Sequence, residues 1–210
     1  MNKNISKATL QRYPVYLKAL RKLKSMGIER IMSKELSEYV DIQPTTIRRD
    51  FSLIGHLGKQ GYGYSVDELI EIFSNNLGIN FDEKIVLIGA GNFGRAVLRY
   101  NKWDNVIGEI VCAFDKHPEN VGELSVPLYD IKDFVSKKPE GCRIAIVSMS
   151  ADVQETVDML IENGIVGIVD LTRQHFVVPK GIHVRSVDVI STIMELVYET
   201  NKLDIVTGDK

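Results

Sequence analysis

The chain has 210 residues, of which 44% are hydrophobic, and a net charge of −2, so it is long enough for one large or two modest cores. No apolar run approaches the roughly 20 residues of a membrane span, and the polar start lacks the apolar core of a signal peptide, so we expect a cytoplasmic protein with no membrane partner. Cys112 and Cys142 each lie in a β-like apolar run, which favours buried, reduced thiols over a disulfide or a metal pair.

Charge is divided unevenly along the chain. Residues 1–64 carry 12 Lys and Arg against 5 Asp and Glu, a balance of +7, whereas residues 65–210 carry 14 against 23, a balance of −9. A basic segment of this kind is typical of a domain that binds a polyanion, although a solvated basic surface has the same composition. We interpret the chain as two domains, the basic one first.

Three helices are predicted in the basic segment. Apolar residues recur at helical spacing over residues 10–23, with Pro14 either kinking this helix or marking its first turn. Ser33 is predicted to cap a second helix that ends at Val40, and Pro44 is predicted to open a third.

The third helix has an apolar face and a polar face. Ile47, Phe51 and Ile54 recur at i, i+4 and i+7, which predicts that they are buried. Two short helices with a tight turn, the second presenting Thr and Arg, describe a helix-turn-helix whose side chains can reach phosphates or guanine edges. The residues we expect to contact DNA here are Gln43, Thr45, Thr46, Arg48, Arg49 and Ser52.

A glycine-rich stretch follows at residues 58–64, where glycines alternate with basic, amide and aromatic residues. It is typical of a β-turn or hairpin tip, which would form a wing that enters a minor groove, and the alternative is a flexible linker. Ser65 and Glu68 form a capping box that starts a helix immediately afterwards, which favours the wing. The wing residues expected at the DNA are Lys59, Gln60, Gly61 and Tyr62.

The central motif lies in residues 84–98, where a β-branched apolar run is followed by Gly-x-Gly-x-x-Gly and a helix-compatible segment. In the dinucleotide fingerprint Gly89 permits the tight turn, Gly91 lets the backbone approach a pyrophosphate, and Gly94 lets the helix lie close on the strand. A second apolar run ends at Asp115, where an acid would hold an adenosine ribose through its hydroxyls. The alternative is a glycine turn with a purely structural role in a doubly wound sheet.

Strand-like and helix-like segments alternate beyond this motif, which predicts a mostly parallel sheet. The segments are residues 110–114, 130–136, 143–148, 151–163 and 165–169. Ligands of such sheets bind at the carboxyl ends of the strands, so Gly89, Asp115 and residues 148–150 should converge on one crevice. The histidines are scattered without partners at motif spacing, so we predict no catalytic residue and no metal site.

The last segment is predicted to form a helix with an unusual distribution of apolar residues. Seven of the ten residues 189–198 are apolar or aromatic, and they occupy more than one helical face. Such a helix must be covered on several sides, which insertion between domains or into a second subunit would achieve. We therefore interpret it as a dimerisation element.

These motifs resemble the Rex family of redox-sensing transcriptional repressors over nearly the whole chain. The resemblance is carried by residues 46–52, 58–64, 89–94, 114–115 and 187–188. It implies a homodimer with N-terminal winged helices, Rossmann cores that bind NADH or NAD⁺, and C-terminal helices swapped between subunits. It also implies that NADH releases the operator. Tyr100 and Asp188 match positions that meet across subunits, and Lys18 stands where the family has a basic residue that pairs with the Asp188 position. We interpret these three residues as an interdomain switch.

The chain departs from the family's usual sequence near the expected nicotinamide end. Residues 148–150 read Ser-Met-Ser where the family often has Thr-Val-Pro, and residues 170–173 read Asp-Leu-Thr-Arg where it often has Asn-Phe-x-Pro. The residues we expect to bind NAD(H) are Gly89, Ala90, Gly91, Asn92, Phe93, Gly94, Asp115, Lys116, Ser148 and Met149.

We therefore predict an α/β chain with three parts: a winged helix-turn-helix domain at 1–78, a doubly wound Rossmann domain at 79–187, and a swapped C-terminal helix at 188–210. The predicted function is a repressor, not an enzyme, that senses the NADH/NAD⁺ ratio and has double-stranded operator DNA and a second copy of itself as partners. The alternatives are a small NAD-dependent dehydrogenase and a CoA-binding module, since the Rossmann part also looks like the CoA-binding domains of acyl-CoA ligases.

Overall fold

The structure is a computed structural model that describes residues 5–55, 62–79, 82–99 and 108–207, with side chains described up to Thr200. These residues fall into two compact units. The first holds the described residues as far as Glu83 together with Gly108, and the second holds those from Lys84 to Arg99 and from Glu109 onward. Within the described ranges, no helix is long and apolar enough to cross a membrane.

The first unit is mainly helical. Its helices are α1 (Lys7–Ser25), α2 (Ser33–Val40), α3 (Pro44–Ile54) and α4 (Val66–Leu77). The hydroxyl of Ser6 caps α1 by accepting a hydrogen bond from the N–H of Thr9 at 3.2 Å, and Pro14 lies inside this helix rather than in its first turn. Pro44 opens α3 as predicted, because the first helical N–H has no partner in the helix and proline has none to lose.

The start of α2 differs from the prediction. Ser33 is the first helical residue rather than the cap, and the capping position belongs to Met32. The carboxylate of Glu35 accepts a hydrogen bond from the N–H of Met32 at 2.8 Å, which satisfies one donor at this helix end. The hydroxyl of Ser33 is used between helices instead, where it accepts a hydrogen bond from Arg48 at 3.0 Å.

Aromatic side chains form the centre of the first unit's core. Tyr16 of α1, Phe51 of α3 and Phe73 of α4 are at most 1% exposed. Their ring centroids lie 5.3 Å apart for Tyr16 and Phe51, 5.4 Å for Phe51 and Phe73, and 5.6 Å for Tyr16 and Phe73. Each such pair contributes about 0.5–1.5 kcal/mol beyond the burial of its area, so one cluster holds three helices together. Of the predicted α3 face, Ile47 is also fully buried and Ile54 is half-buried.

Two short strands flank the helix-turn-helix in the chain. They are β1 (Arg30–Ile31) and β2 (Tyr64–Ser65), and they pair antiparallel. Arg30 donates from Nε to the carbonyl of Tyr62 at 3.0 Å, and its guanidinium lies 4.6 Å from the centre of the Tyr62 ring. Such a strand pair is the base that the predicted wing requires, and the predicted tip at Lys59, Gln60 and Gly61 lies outside the described residues.

Six strands form the sheet of the second unit. They are β3 (Glu83–Ile88), β4 (Gly108–Asp115), β5 (Leu128–Asp130), β6 (Ile144–Val147), β7 (Gly167–Asp170) and β8 (His183–Ser186). Their order is β5-β4-β3-β6-β7-β8, and β4 with β5, β3 with β6, β6 with β7 and β7 with β8 pair parallel. Numbered within the unit, this is the 3-2-1-4-5-6 order of the dinucleotide-binding fold, whose ligands bind where the order reverses, between β3 and β6.

Helices and turns connect these strands, and a last helix follows β8. They are α5 (Asn92–Arg99), α6 (Phe134–Lys137), α7 (Val153–Glu162) and α8 (Val189–Thr207), with 3₁₀ turns at Pro118–Asn120 and Ile131–Asp133. The core includes Val86, Ile88, Phe114, Val147 and Val157, all at most 1% exposed. Residues 85–88 of β3 and all of β6 are continuous apolar runs because both faces of a parallel sheet are covered.

Two strands of this six-stranded sheet are missing from the predicted elements. The first, β5, has only three residues, all half-buried, and the predicted segment 130–136 is a turn followed by α6. The second, β8, reads His-Val-Arg-Ser and is mostly exposed. Both lie at the ends of the sheet, where one side of the strand lacks a neighbour and the sequence need not be apolar.

Candidate functional site

The glycine turn between β3 and α5 is close-packed at two of its three glycines. Gly89 has a φ of +87°, and a Cβ built there would lie 2.9 Å from the carbonyl oxygen of Ser148. A Cβ on Gly94 would overlap the carbonyl oxygen of Gly89 and lie 2.9 Å from Ser148 Oγ. A Cβ on Gly91 would meet nothing within 4 Å. Gly91 therefore borders open space in which a ligand can approach the backbone.

Asp115 ends β4 and directs its carboxylate at this turn. Its Oδ2 accepts a hydrogen bond from the N–H of Ala90 at 2.7 Å, and its Oδ1 accepts one from the N–H of His117 at 2.9 Å. Because Asp115 already occupies the N–H of Ala90, the donors left for an anion are the first N–H groups of α5, which have no intrahelical partner by geometry. In this fold the acid at the end of the second strand holds the ribose.

A cleft of about 910 Å³ opens beside the glycine turn. Its volume is at the large end of the roughly 300–1,000 Å³ of small-molecule sites, which suits an extended ligand. The lining residues are Ile88, Gly89, Gly91, Asn92, Phe93, Phe114, Asp115, Lys116, His117, Ile131 and residues 148–152, 171–173 and 187–190. The predicted convergence of Gly89, Asp115 and residues 148–150 is therefore observed.

Eight of the ten residues predicted to bind the nucleotide line this cleft. The other two are Ala90 and Gly94, which are buried beneath the turn, where Ala90 bonds to Asp115 and Gly94 packs on Gly89. The prediction omits Ala151 and Asp152, for which the only available signal is that they follow Ser148 and Met149 in a loop after a strand. It also omits Val189 and Ile190, because the sequence predicts only a dimerisation role for the final helix.

At the other end of the cleft, a group of hydrogen bonds fixes the loop after β7. Asp170 is 7% exposed, and its Oδ1 accepts from the N–H and the hydroxyl of Thr172 at 2.8 and 2.7 Å. Its Oδ2 accepts from the hydroxyl of Ser186 at 2.8 Å. The amide of Gln174 donates to the carbonyl of Ser150, which joins this loop to the one after β6. The two loops that depart from the usual family sequence are thus joined, and residues 148–150 and 171–173 in them line the cleft.

Asp188 caps α8 at the edge of the cleft. Its Oδ2 accepts from the hydroxyl of Ser191 at 2.6 Å, and its Oδ1 accepts from the N–H groups of Ile190 and Ser191 at 3.0 and 3.1 Å. These hydrogen bonds hold the pKa of Asp188 below its ordinary value, and the bond from the Ser191 hydroxyl has the largest effect. Of the other predicted switch residues, Lys18 is exposed on α1, and Tyr100 lies outside the described residues.

The outward face of α3 is polar and basic. Arg48 and Arg49 are both exposed, and Arg48 also donates from Nη1 to Ser33 Oγ, which holds its guanidinium against α2. The hydroxyl of Ser52 donates to the carbonyl of Arg49 at 2.7 Å. Gln43 and Thr45 are exposed, Thr46 is half-buried, and Tyr62 of the predicted wing is 68% exposed.

A buried charge on α3 was not predicted. Asp50 is 0% exposed, and its carboxylate accepts hydrogen bonds from Nε and Nη2 of Arg12 and from the hydroxyl of Tyr16, the last at 2.8 Å. The hydroxyl of Thr9 lies at 3.4 Å. Burial by itself raises the pKa of Asp50, but the hydrogen bonds from Arg12 and Tyr16 outweigh it and hold the pKa below its ordinary value.

The cysteines are buried, free thiols, as predicted. Burial raises the pKa of Cys112 to about 11 and also raises the pKa of Cys142. The thiolate is the reactive form, so both side chains are poor nucleophiles. Within the described residues, no group of three or more His, Cys, Asp or Glu is placed to hold a metal ion.

Two family models match the chain. The model described as a putative DNA-binding protein N-terminus matches residues 4–52, and the model described as a CoA binding domain matches residues 80–173. A basic helix-turn-helix unit joined to a Rossmann unit with an open cleft defines the class of ligand-responsive transcription regulators.

Similar proteins narrow this class. The redox-sensing transcriptional repressor Rex of Listeria welshimeri serovar 6b is 40% identical over 198 residues, which cover 92% of this chain and 92% of the relative. A crystal structure of RSP in complex with β-NAD⁺ and operator DNA is 28% identical, with a TM-score of 0.80 over 98% of each chain. RSP in complex with β-NADH is 26% identical, with a TM-score of 0.79 over 99% of this chain and 100% of that one.

The chain belongs to the Rex family of redox-sensing transcriptional repressors. The predictions of this family and of an N-terminal DNA-binding domain followed by a Rossmann domain are confirmed.

Proposed function

We propose that this chain binds double-stranded operator DNA as a homodimer when NADH is low and releases the DNA when NADH binds. The observation that carries the proposal is that one chain presents both an α3 face with exposed Arg48 and Arg49 and a cleft where Gly91 and Asp115 border open space. Related RSP structures hold β-NAD⁺ with operator DNA in one case and β-NADH in the other, which supports it. We propose domain limits of 1–78, 79–187 and 188–210.

The residues of the cleft fit a dinucleotide. Asp115 would accept hydrogen bonds from the ribose hydroxyls, and the backbone at Gly91 with the first N–H groups of α5 would hold the pyrophosphate. Ser148 and Met149 would border the nicotinamide, with the loop after β7 as the opposite wall. When bound, the nicotinamide supplies the redox signal, because its oxidised form carries a positive charge that its reduced form lacks.

The basic unit would bind DNA through α3 and the wing. Arg49 and Arg48 would contact base edges or phosphates in the major groove, and residues 59–61 would follow the adjacent groove. The net charge of +7 over residues 1–64 would favour binding to the duplex, because basic side chains release the counterions that are condensed on DNA. Operator binding should therefore weaken steeply as salt is raised.

We place the dimer contact on α8. Seven apolar side chains of this helix are each more than half exposed in the single chain: Val189, Ile190, Ile193, Met194, Leu196, Val197 and Tyr198. A concentration of exposed apolar side chains of this kind marks an interaction surface. A second copy fits the role because a two-fold dimer presents two recognition helices about 34–36 Å apart, one turn of DNA.

The proposed switch requires two arrangements of the dimer. NADH must bind the arrangement that is incompetent for DNA more tightly, because a ligand with equal affinity for both shifts nothing. We propose that Asp188 exchanges contacts with Lys18 and Tyr100 of the other subunit between the two arrangements. By linkage, operator DNA must weaken NADH binding by the same factor by which NADH weakens operator binding.

The test is a pair of titrations on the full-length protein. Operator binding is followed by fluorescence anisotropy while NADH or NAD⁺ is added, and NADH binding is measured with and without operator. We expect NADH to release the operator at lower concentration than NAD⁺ and the two coupling factors to agree. Absence of duplex binding even at low salt contradicts the DNA-binding role, and unchanged NADH affinity on the operator contradicts the coupling.

CoA is a second candidate ligand because residues 80–173 match the CoA binding domain model. The carboxylate of Asp115 disfavours it, since a negative charge beside the ribose repels the phosphate that CoA carries there. Titrations with CoA and NADPH beside NADH separate the candidates. We further propose that bound NADH is not consumed, so the absorbance of the reduced nicotinamide should stay constant when the protein is incubated with small carbonyl compounds.

A further inference from the structure

An ion pair spans the cleft at the glycine turn. Lys116 Nζ and Asp152 Oδ2 lie 2.5 Å apart. Lys116 follows β4 and Asp152 lies in the loop after β6, and β3 is between these strands in the sheet. The ion pair therefore joins the loops on either side of the turn that begins at Gly89, and all three residues line the cleft.

Asp152 makes this contact from an unusual position. It is the N-cap of α7, where an Asp side chain ordinarily accepts a hydrogen bond from the first turn, yet it makes no such bond. Its φ of +53° lies in the left-handed region, which is uncommon for a residue other than glycine. The carboxylate thus reaches Lys116 across the cleft instead of capping its own helix.

Lys116 directly follows Asp115, the residue proposed to bind the ribose hydroxyls. In Rossmann domains an acid at the position of Asp115 selects the 2′-hydroxyl of NAD, whereas a basic residue nearby accommodates the 2′-phosphate of NADP. The chain carries both, because Lys116 immediately follows Asp115. A Lys116 side chain that could move to the ribose would attract the 2′-phosphate and counteract the selection made by Asp115.

We propose that Asp152 is a specificity-determining residue that keeps the cleft selective for NADH over NADPH by holding the charge of Lys116 away from the 2′-phosphate. This inference rests on the proposed binding of NADH in the cleft. The side chains of Lys116 and Asp152 are 35% and 59% exposed, so water screens the ion pair. Loss of the pair should therefore change the NADPH dissociation constant by about fivefold at most.

The test uses Asp152→Asn in the full-length protein. Asn tolerates the left-handed region and can cap a helix, so the variant should fold and bind NADH. NADH affinity is measured by fluorescence titration and NADPH affinity by displacement of NADH. We expect the ratio of the NADPH to the NADH dissociation constant to fall by about three- to fivefold.

Two further variants identify the cause of any change. Asp158→Asn removes the same charge from the same helix at an exposed residue that accepts a hydrogen bond from Gln154, and it should leave the ratio unchanged. Adding Lys116→Gln to Asp152→Asn should restore the wild-type ratio, because the cation that attracts the phosphate is gone.

Each other outcome overturns the inference. An unchanged ratio in Asp152→Asn shows that the pair has no role in selection, and an equal change in Asp158→Asn shows a general effect of charge. If the ratio stays lowered when Lys116→Gln is added to Asp152→Asn, the effect comes from direct repulsion of the 2′-phosphate by Asp152. If the wild type binds NADH and Asp152→Asn keeps its ratio, only this inference fails, whereas a wild type that binds no NADH removes the proposed function as well.

Discussion

Arg12 of α1 binds Asp50 of α3 through two nitrogen atoms, with Nε at 2.6 Å from Oδ2 and Nη2 at 2.7 Å from Oδ1. A two-point contact of this kind fixes both distance and orientation, because the guanidinium and the carboxylate are planar. Asp50 directly follows Arg48 and Arg49, so the ion pair positions the stretch of α3 that we expect to contact bases.

Loss of the Asp50 charge should destabilise the first unit. Asp50→Asn leaves the guanidinium of Arg12, whose side chain is 22% exposed, without its counter-charge, and we expect a loss of about 3 kcal/mol in the free energy of unfolding. Urea unfolding of the full chain measures it. The matched control is Asp67→Asn, which removes an exposed partner of Lys24 and should cost less than about 0.5 kcal/mol. Equal losses would show that burial of the charge is irrelevant.

The contribution of Asp50 should disappear in acid. Burial raises its pKa, but the hydrogen bonds and charge of Arg12 hold the net pKa below the ordinary value of about 3.9. A group whose pKa is lowered by folding adds stability above its ordinary pKa and loses it as pH falls through the folded value. The gap in unfolding free energy between wild type and Asp50→Asn should therefore be constant above about pH 5 and shrink below about pH 4. A gap that persists undiminished at about pH 2 contradicts the lowered pKa.

Asp115 should have separable roles in binding and in structure. Asp115→Asn keeps an oxygen that can accept from the N–H of Ala90 but removes the charge, whereas Asp115→Ala also leaves that buried N–H unpaired. Both variants should bind NADH more weakly. The difference between the NADH and NADPH affinities should also become smaller, because the carboxylate that repels a 2′-phosphate is gone. Only Asp115→Ala should also lose about 1–3 kcal/mol of stability. Wild-type NADH affinity in both variants, in a direct titration, would place the nucleotide elsewhere.

The two arginines of α3 should matter for the operator and not for NADH. Arg49→Ala should cost about 1–3 kcal/mol of operator binding if its guanidinium contacts a base edge. Arg48→Ala should weaken operator binding by a similar amount. Ser33→Ala removes only the contact that holds Arg48 against α2, so it measures how much that contact contributes to operator binding. Anisotropy titrations with operator and with an unrelated duplex measure affinity and specificity together. Unchanged operator binding in both arginine variants would remove α3 as the recognition helix.

A charge on the apolar surface of α8 should break the dimer. Ile193→Glu would place an unpaired carboxylate in the proposed contact, which costs about 2–5 kcal/mol and raises the dimer dissociation constant at least about thirtyfold. Analytical ultracentrifugation measures the dissociation constant, and operator binding should fall with it. Glu195→Gln on the same helix is the control. If Ile193→Glu dimerises like the wild type, the subunits meet through another surface.

The parts of the fold that were predictable from sequence are those coded locally. Gly89, Gly91 and Gly94 lie within six residues, and their spacing predicts the turn directly. Pro44 and the apolar spacing after it predict α3. The missed features depend on residues far apart in the chain. Asp50 is buried only because Arg12, 38 residues earlier, supplies its counter-charge, and the pairing of Lys116 with Asp152 crosses 36 residues. No period or spacing reports such pairs, since the fold alone brings them together.

The burial of Cys112 and Cys142 has a consequence for the kind of sensor this is. With both thiols enclosed and their pKa values raised, the protein offers oxidants no reactive thiol to modify. Under the proposed function, the redox state of the cell then acts on it through reversible occupancy of a cleft. Such a sensor keeps no record of past oxidation at its thiols. It needs no reductase to reset it, and its response follows the nucleotide pool as quickly as a ligand can dissociate.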